Sequence, residues 1–334
     1  MADLFTFSDL KNPKAVAFAL DGESLAIALG GSVQVHEVQP LLQGKAPRRS
    51  APSLVMPISK AETGSLAWSP NCRTLAVSSG KELAFFDVSA GSMPLGAPLA
   101  SKGHIRAMKF DKFGAKLFTG GAESLIRVWD VEKATLSSLL KSEIAQVFDV
   151  EMLVENEILL SVGNDRRALL YDLRVGKTQT AFTSLRNENY LCISAAGSLK
   201  SFNYKTLLTS TSSRQISLSD RLAYLGTSDG VVECWDLRAT SRSVTAAKVL
   251  TSEVKNIQLD PSGNYLAVGG FGKQLTLVNA SNLTPKEVLN IHSERTLDVD
   301  WHPFFPILAS CSADKTVRLS QSTIMDFNRH VNPS

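Results

Sequence analysis

The sequence predicts an all-β fold, a seven-bladed β-propeller closed by its N-terminal strand. Three observations predict it. A large apolar residue followed seven positions later by leucine recurs along the chain. Each recurrence leads through a short turn into an alternating strand that ends on or near an aromatic–acidic pair. An alternating strand, "LFTFSD", precedes the first full unit, while the sequence leaves the pattern soon after the last such strand, "DKTVRLS".

The spaced pairs are Phe18 and Leu25, Trp68 and Leu75, Phe110 and Leu117, Leu259 and Leu266, and Trp301 and Leu308, with Met152 and Leu159 as a degenerate copy. The strand endings are Phe86-Asp87, Trp129-Asp130, Tyr171-Asp172 and Trp235-Asp236, with decayed versions at His36-Glu37, Val278-Asn279 and Ser320-Gln321. Alternation with short turns means antiparallel strands, and a repeat of about 42 residues suits a four-stranded sheet. A lone sheet of that size leaves its faces uncovered, and a ring of seven covers every copy at once. The N-terminal strand then supplies the outer edge of the last blade and removes an exposed sheet edge. The expected organisation is a single domain over 1–334, with blades near 12–58, 62–100, 103–140, 142–183, 184–250, 251–290 and 291–321 and the closing strand at 3–9. One interval is long: Leu185 to Leu208 reads as an extra strand pair in the fifth blade or as a shortened eighth blade.

These residues resemble the WD-repeat β-propellers over nearly the whole chain. The best copies are "GHIRAMKFDKFGAKLFTGGAESLIRVWDV" and "IHSERTLDVDWHPFFPILASCSADKTVRLS". The resemblance implies a structural hydrogen-bond network of histidine, turn carboxylate, strand hydroxyl and strand-end tryptophan. Its matching positions are His104, Glu123 and Trp129 in the third blade, Asp165 in the fourth, Asp229 and Trp235 in the fifth, and His292 and Asp314 in the seventh. Glu123 stands where the family has aspartate. Gly30 and Gly80 hold that position in blades one and two, so apolar packing must carry more of the load there.

Composition narrows the function. A net charge of +3 and 20% charged residues do not indicate nucleic acid, which calls for a concentrated basic stripe. The densest basic patch, with Arg48 and Arg49, lies in the proline-rich connection Pro40 to Pro57. Four scattered cysteines read as reduced thiols, and no apolar run is long enough to span a bilayer. No histidine has metal-ligand spacing, and no serine sits in a nucleophile elbow. "VGKT" and "GGFGKQ" fail as phosphate loops: the first has Tyr171 where a glycine is required, the second Leu275. A turn aspartate such as Asp229 recurs blade by blade, as structure requires and catalysis does not. The expectation is therefore a cytoplasmic or nuclear, non-catalytic scaffold for other proteins, several in one assembly, with no cofactor, metal, membrane or small-molecule substrate. The resemblance adds an alternative. In WD-repeat substrate receptors of cullin-type ubiquitin ligases, a strand-end arginine on adjacent blades marks the adaptor side, and Arg174 and Arg238 occupy that position. The other candidate partner surfaces are the connection with Arg48 and Arg49 and the long interval with Tyr190.

Overall fold

The seven-residue spacing is the length of one hairpin. In a computed structural model, Phe18 lies across from Leu25, Trp68 from Leu75, Phe110 from Leu117, Met152 from Leu159, Leu259 from Leu266 and Trp301 from Leu308. All six leucines are fully buried. The residues described are 2–42, 51–58, 63–91, 93–142, 145–153, 158–174, 176–184, 186–196, 222–238 and 242–322.

Among the described residues seven antiparallel sheets result, each running from an inner to an outer strand. Their inner strands are Ala15–Phe18, Thr63–Trp68, Ile105–Phe110, Val147–Leu153, Tyr190–Ala195, Val254–Leu259 and Thr296–Trp301. Each touches the next, and the seventh touches the first, so the ring is closed. The second blade has its outer strand split into Met93–Pro94 and Leu99–Ala100. The long interval is resolved in favour of seven blades. Tyr190–Ala195 is the inner strand of the fifth, and Ala195 pairs with Ala223. The extra length therefore falls between Ala195 and Leu222, and residues 197–221 lie outside the described residues.

The predicted closure is present. Ala2–Phe7 pairs antiparallel with Val317–Gln321 as the outer strand of the seventh blade. Phe5 and Phe7 meet edge to face at 4.8 Å, and Phe7 is buried with Val16, Phe18 and Leu319. Part of the proline-rich connection is helical and not extended. Val38–Leu42 makes one helical turn that buries Val38 and Leu41 and touches the closing strand. Pro40 is tolerated because the first-turn N–H groups of a helix have no intrahelical acceptor to lose.

Among the described residues the core is divided into seven parts. Each buried apolar cluster is shared by two neighbouring blades, from the first and second through to the seventh and first. Large and small residues are matched across a junction: Trp68 and Phe86 of the second blade pack against Ala15, Ala17, Ala19, Ala26 and Ala28 of the first. Such interdigitation brings the interior to crystal-like density.

Candidate interaction faces and the central channel

An antiparallel blade sends its turns alternately to two faces. Connections between blades and second-to-third-strand turns share one, here called the entry face; the remaining turns share the other, the exit face. The expected histidine and turn-carboxylate positions lie at the entry face, whereas Trp129 and Trp235 stand one residue before the exit-face ends of their strands. In the seventh blade His292 Nδ1 meets Asp314 Oδ2 at 3.0 Å, its Nε2 meets Ser310 Oγ at 2.8 Å, and Thr316 Oγ1 donates to Asp314 at 2.6 Å. Burial alone would raise the Asp314 pKa, but the Thr316 hydroxyl and the Ser293 amide more than offset it and hold it at about 2. Ser320 stands at the tryptophan position, and its hydroxyl has no partner among the described residues.

The third blade departs from expectation. His104 is exposed and joins none of these bonds. Glu123 instead pairs with Arg127 at 2.8 Å and accepts from Ser101, while Trp129 Nε1 donates to Thr119 Oγ1 at 2.9 Å. The longer glutamate reaches an arginine along its own strand, which removes the need for the histidine. Asp165 likewise pairs with Arg167 at 2.7 Å. In the fifth blade Asp229 accepts from Thr227 Oγ1 at 2.6 Å and pairs with Arg186. Trp235 Nε1 donates not to a hydroxyl but to Glu233 Oε2, at 3.0 Å.

Tyr190 corrects the expectation from sequence. Expected on a partner surface, it is fully buried, and its hydroxyl donates to the same Glu233 oxygen at 2.7 Å. It begins an inner strand rather than a surface insertion. Arg48 and Arg49 lie outside the described residues. At the exit face, Arg174 and Arg238 are 58% and 47% exposed, and each fork closes on its own strand-end aspartate, Asp172 at 2.8 Å and Asp236 at 2.7 Å. That is local, bidentate pairing. The same repeated endings place Glu37, Asp87, Asp130, Asp172 and Asp236 on the exit face.

Between the faces runs the channel, with a cavity volume of ≈ 290 Å³. Its polar side chains stitch the inner strands together at every junction. Trp68 Nε1 donates to Ala17 O, Ser65 Oγ to Arg106 O, and Lys109 Nζ to Glu151 Oε2. Ile193 N donates to Asp149, Leu259 N to Ser194 Oγ, and Asn256 Nδ2 to Leu297 O. Val16 N and Phe18 N donate to Asp298 and Asp300 and complete the circle. Asp149 and Asp298 are equivalent: each takes the next residue's amide on Oδ1 and the neighbouring blade's amide on Oδ2. Burial raises the Asp149 pKa to about 7, against the pull of Lys109. A sequence signal for these residues exists in the paired strings "DVE" and "DVD", Asp149 to Glu151 and Asp298 to Asp300. Among the described residues no group of three or more histidine, cysteine, aspartate or glutamate side chains is placed to hold a metal ion.

With this geometry in view, the family comparison is specific. The family model described as "WD domain, G-beta repeat" matches residues 96–130 and 283–319, the segments that carry Glu123–Trp129 and His292–Asp314. The chain is a divergent member of the WD-repeat family. Among curated WD-repeat relatives it is 29% identical over 154 residues to "Ribosome biogenesis protein YTM1" of Coprinopsis cinerea, covering 46% of this chain and 30% of the relative. It is 24% identical over 206 residues to "Protein SOF1" of Saccharomyces cerevisiae, covering 61% and 37%. It is 24% identical over 153 residues to "Nuclear distribution protein PAC1-2" of Uncinocarpus reesii, covering 46% and 33%. The matched part thus spans about a third of each relative's length. No helix among the described residues of this WD-repeat chain is long and apolar enough to cross a membrane.

The closing junction of the WD-repeat ring should be acid-sensitive. Buried His302 accepts Phe304 N and Phe305 N on Nδ1 and faces Gly22 O with Nε2 at 3.1 Å, so its neutral form is the one that fits. Burial lowers its pKa to about 4, and does the same to His36 beneath Phe7 of the closing strand. The unfolded state, with histidine near 6.5, then binds more protons between pH 6.5 and 4, so stability is lost as pH falls through that window. Asp149, raised to about 7, acts in the opposite sense and offsets part of the slope. Replacing His302→Asn is expected to flatten the unfolding free energy between pH 6.5 and 4 by up to about 1.4 kcal/mol per pH unit, measured by urea titration. An unchanged slope would show that His302 is not held neutral.

Proposed function

We propose that this chain is a non-catalytic platform that holds several proteins in one nuclear or cytoplasmic assembly. The observation that carries the reading is the use made of the channel's ionisable groups. The deepest concavity of a fold is where chemistry is usually found. Here Asp149, Asp298 and Asp300 hold backbone amides of the adjoining blade, and Glu151 holds Lys109. These groups join inner strands, which leaves the two loop faces and the circumference as the surfaces for engagement. The relatives' names point to unlike processes, ribosome biogenesis and nuclear distribution, as expected when what they share is a platform and not a reaction.

Affinity purification with mass spectrometry from the native cell tests the proposal. A reproducible set of companions is the expected result, and a protein recovered alone would end it. The paired alanine variant Arg174→Ala and Arg238→Ala is expected to leave that set unchanged, because each arginine is spent on its own aspartate. Loss of one companion on this double substitution would assign the arginines a docking role instead.

A further inference from the structure

Among the described residues of the exit face, the strand-end arginines Arg174 and Arg238 are bound to Asp172 and Asp236. At the entry face the carboxylates of Glu123, Asp165, Asp229 and Asp314 are committed to Arg127, Arg167, Arg186 and His292. What remains at the channel mouth is cationic. Lys14, Arg106 and Lys255 stand where inner strands of the first, third and sixth blades begin, and all three line the channel. Arg295 stands just ahead of the seventh. Among the described residues Lys14, Arg106 and Arg295 make no ion pair, and Lys255 pairs only with half-exposed Glu253. Glu294 shares the Arg295 connection and weakens the field locally.

We propose that this cationic mouth docks an extended, acidic segment of a partner protein. The inference rests on the platform reading and names the chemistry of one partner. Charge complementarity sets the class of ligand, and the aromatic residues decide between a protein and a nucleic acid. Single-stranded nucleic acid is held by bases stacked on open aromatic faces. Phe148 is covered by Arg106 at 5.2 Å, and the half-exposed Phe271 by Lys255 at 5.2 Å and Arg295 at 5.3 Å. These rings hold the cations in place rather than offering a stacking surface. Farther in, Asp149, Glu151, Asp298 and Asp300 line the channel. An acidic chain is therefore attracted to the rim and repelled from the bore, so it lies across the mouth without threading it.

The test uses the full chain, a fluorescent dodecaglutamate peptide and a thymidine dodecamer in low salt, read by anisotropy. The triple variant Lys14→Glu, Arg106→Glu and Arg295→Glu is expected to weaken peptide binding at least about tenfold. Reversing Arg73, Lys116 and Lys133 to glutamate on the exit face should change it less than about twofold. Equal weakening by both variants, no peptide binding by the wild type, or tighter binding of the thymidine dodecamer would each overturn the assignment. If the triple variant fails to fold, the milder Lys14→Gln, Arg106→Gln and Arg295→Gln variant replaces it and should weaken peptide binding in the same direction. In cells, companions that all survive the triple variant sink this inference alone, whereas purification without companions sinks the platform reading.

Discussion

Deleting residues 1–8 is expected to lower the melting temperature by about 10 °C or more and to make the protein self-associate. The strand removed supplies one whole edge of the seventh blade, pairing from Ala2 with Gln321 to Phe7 with Val317. Loss of the buried Phe7 alone is worth about 3–5 kcal/mol by analogy with large-to-small core changes. Removing the strand also uncovers the outer edge of Val317–Gln321, a template for pairing with another molecule. The surface pair Arg318–Asp3, at 3.1 Å and partly exposed, adds little. Thermal melts followed by circular dichroism, with size-exclusion chromatography, check both parts. A synthetic peptide of residues 1–12 should restore much of the loss when added in trans. A truncated chain that melts like the full one would mean that the ring is held shut by inner-strand contacts alone.

Trp235→Ala is expected to cost about 3–5 kcal/mol. The indole is buried between the fourth and fifth blades, stacked on Phe182 at 4.7 Å, and its N–H is one of two donors on Glu233 Oε2. Alanine would leave a cavity at a junction and a buried carboxylate served by Tyr190. Trp235→Phe keeps most of the stack and removes the donor, so it should cost about 1–3 kcal/mol. Denaturant titrations of both variants separate the contributions. Equal losses for the two would place the stabilisation in the hydrogen bond to Glu233 and not in the packing.

Whatever a constant hairpin length preserves is legible in the sequence. Six blades keep the short first turn, so Phe110 and Leu117, or Trp301 and Leu308, show their pairing as a fixed spacing. The fifth blade hides the same pairing behind 28 positions and two alanines, Ala195 and Ala223, which carry no apolar signature. Tyr190 therefore reads as part of a surface insertion when it begins a buried strand. His104 matches the network by position, but a glutamate with an arginine four residues on serves the blade without it. The cationic channel mouth is illegible because Lys14, Arg106, Lys255 and Arg295 are far apart in the chain and come together only where the inner strands close the ring. The channel ring is hidden because different side chains make the equivalent link at successive junctions, among them tryptophan, serine, lysine, aspartate and asparagine.

The closing strand carries a consequence for biosynthesis. Asp3 and its partner Arg318 are 315 positions apart, yet the blades between them are built from local hairpins. At ordinary translation speeds of about 5–20 residues per second, the segment around Leu4, Phe5 and Phe7 waits roughly 15–60 s for its partner to leave the ribosome. Throughout that delay an apolar, strand-forming stretch is available to chaperones and to neighbouring nascent chains alike.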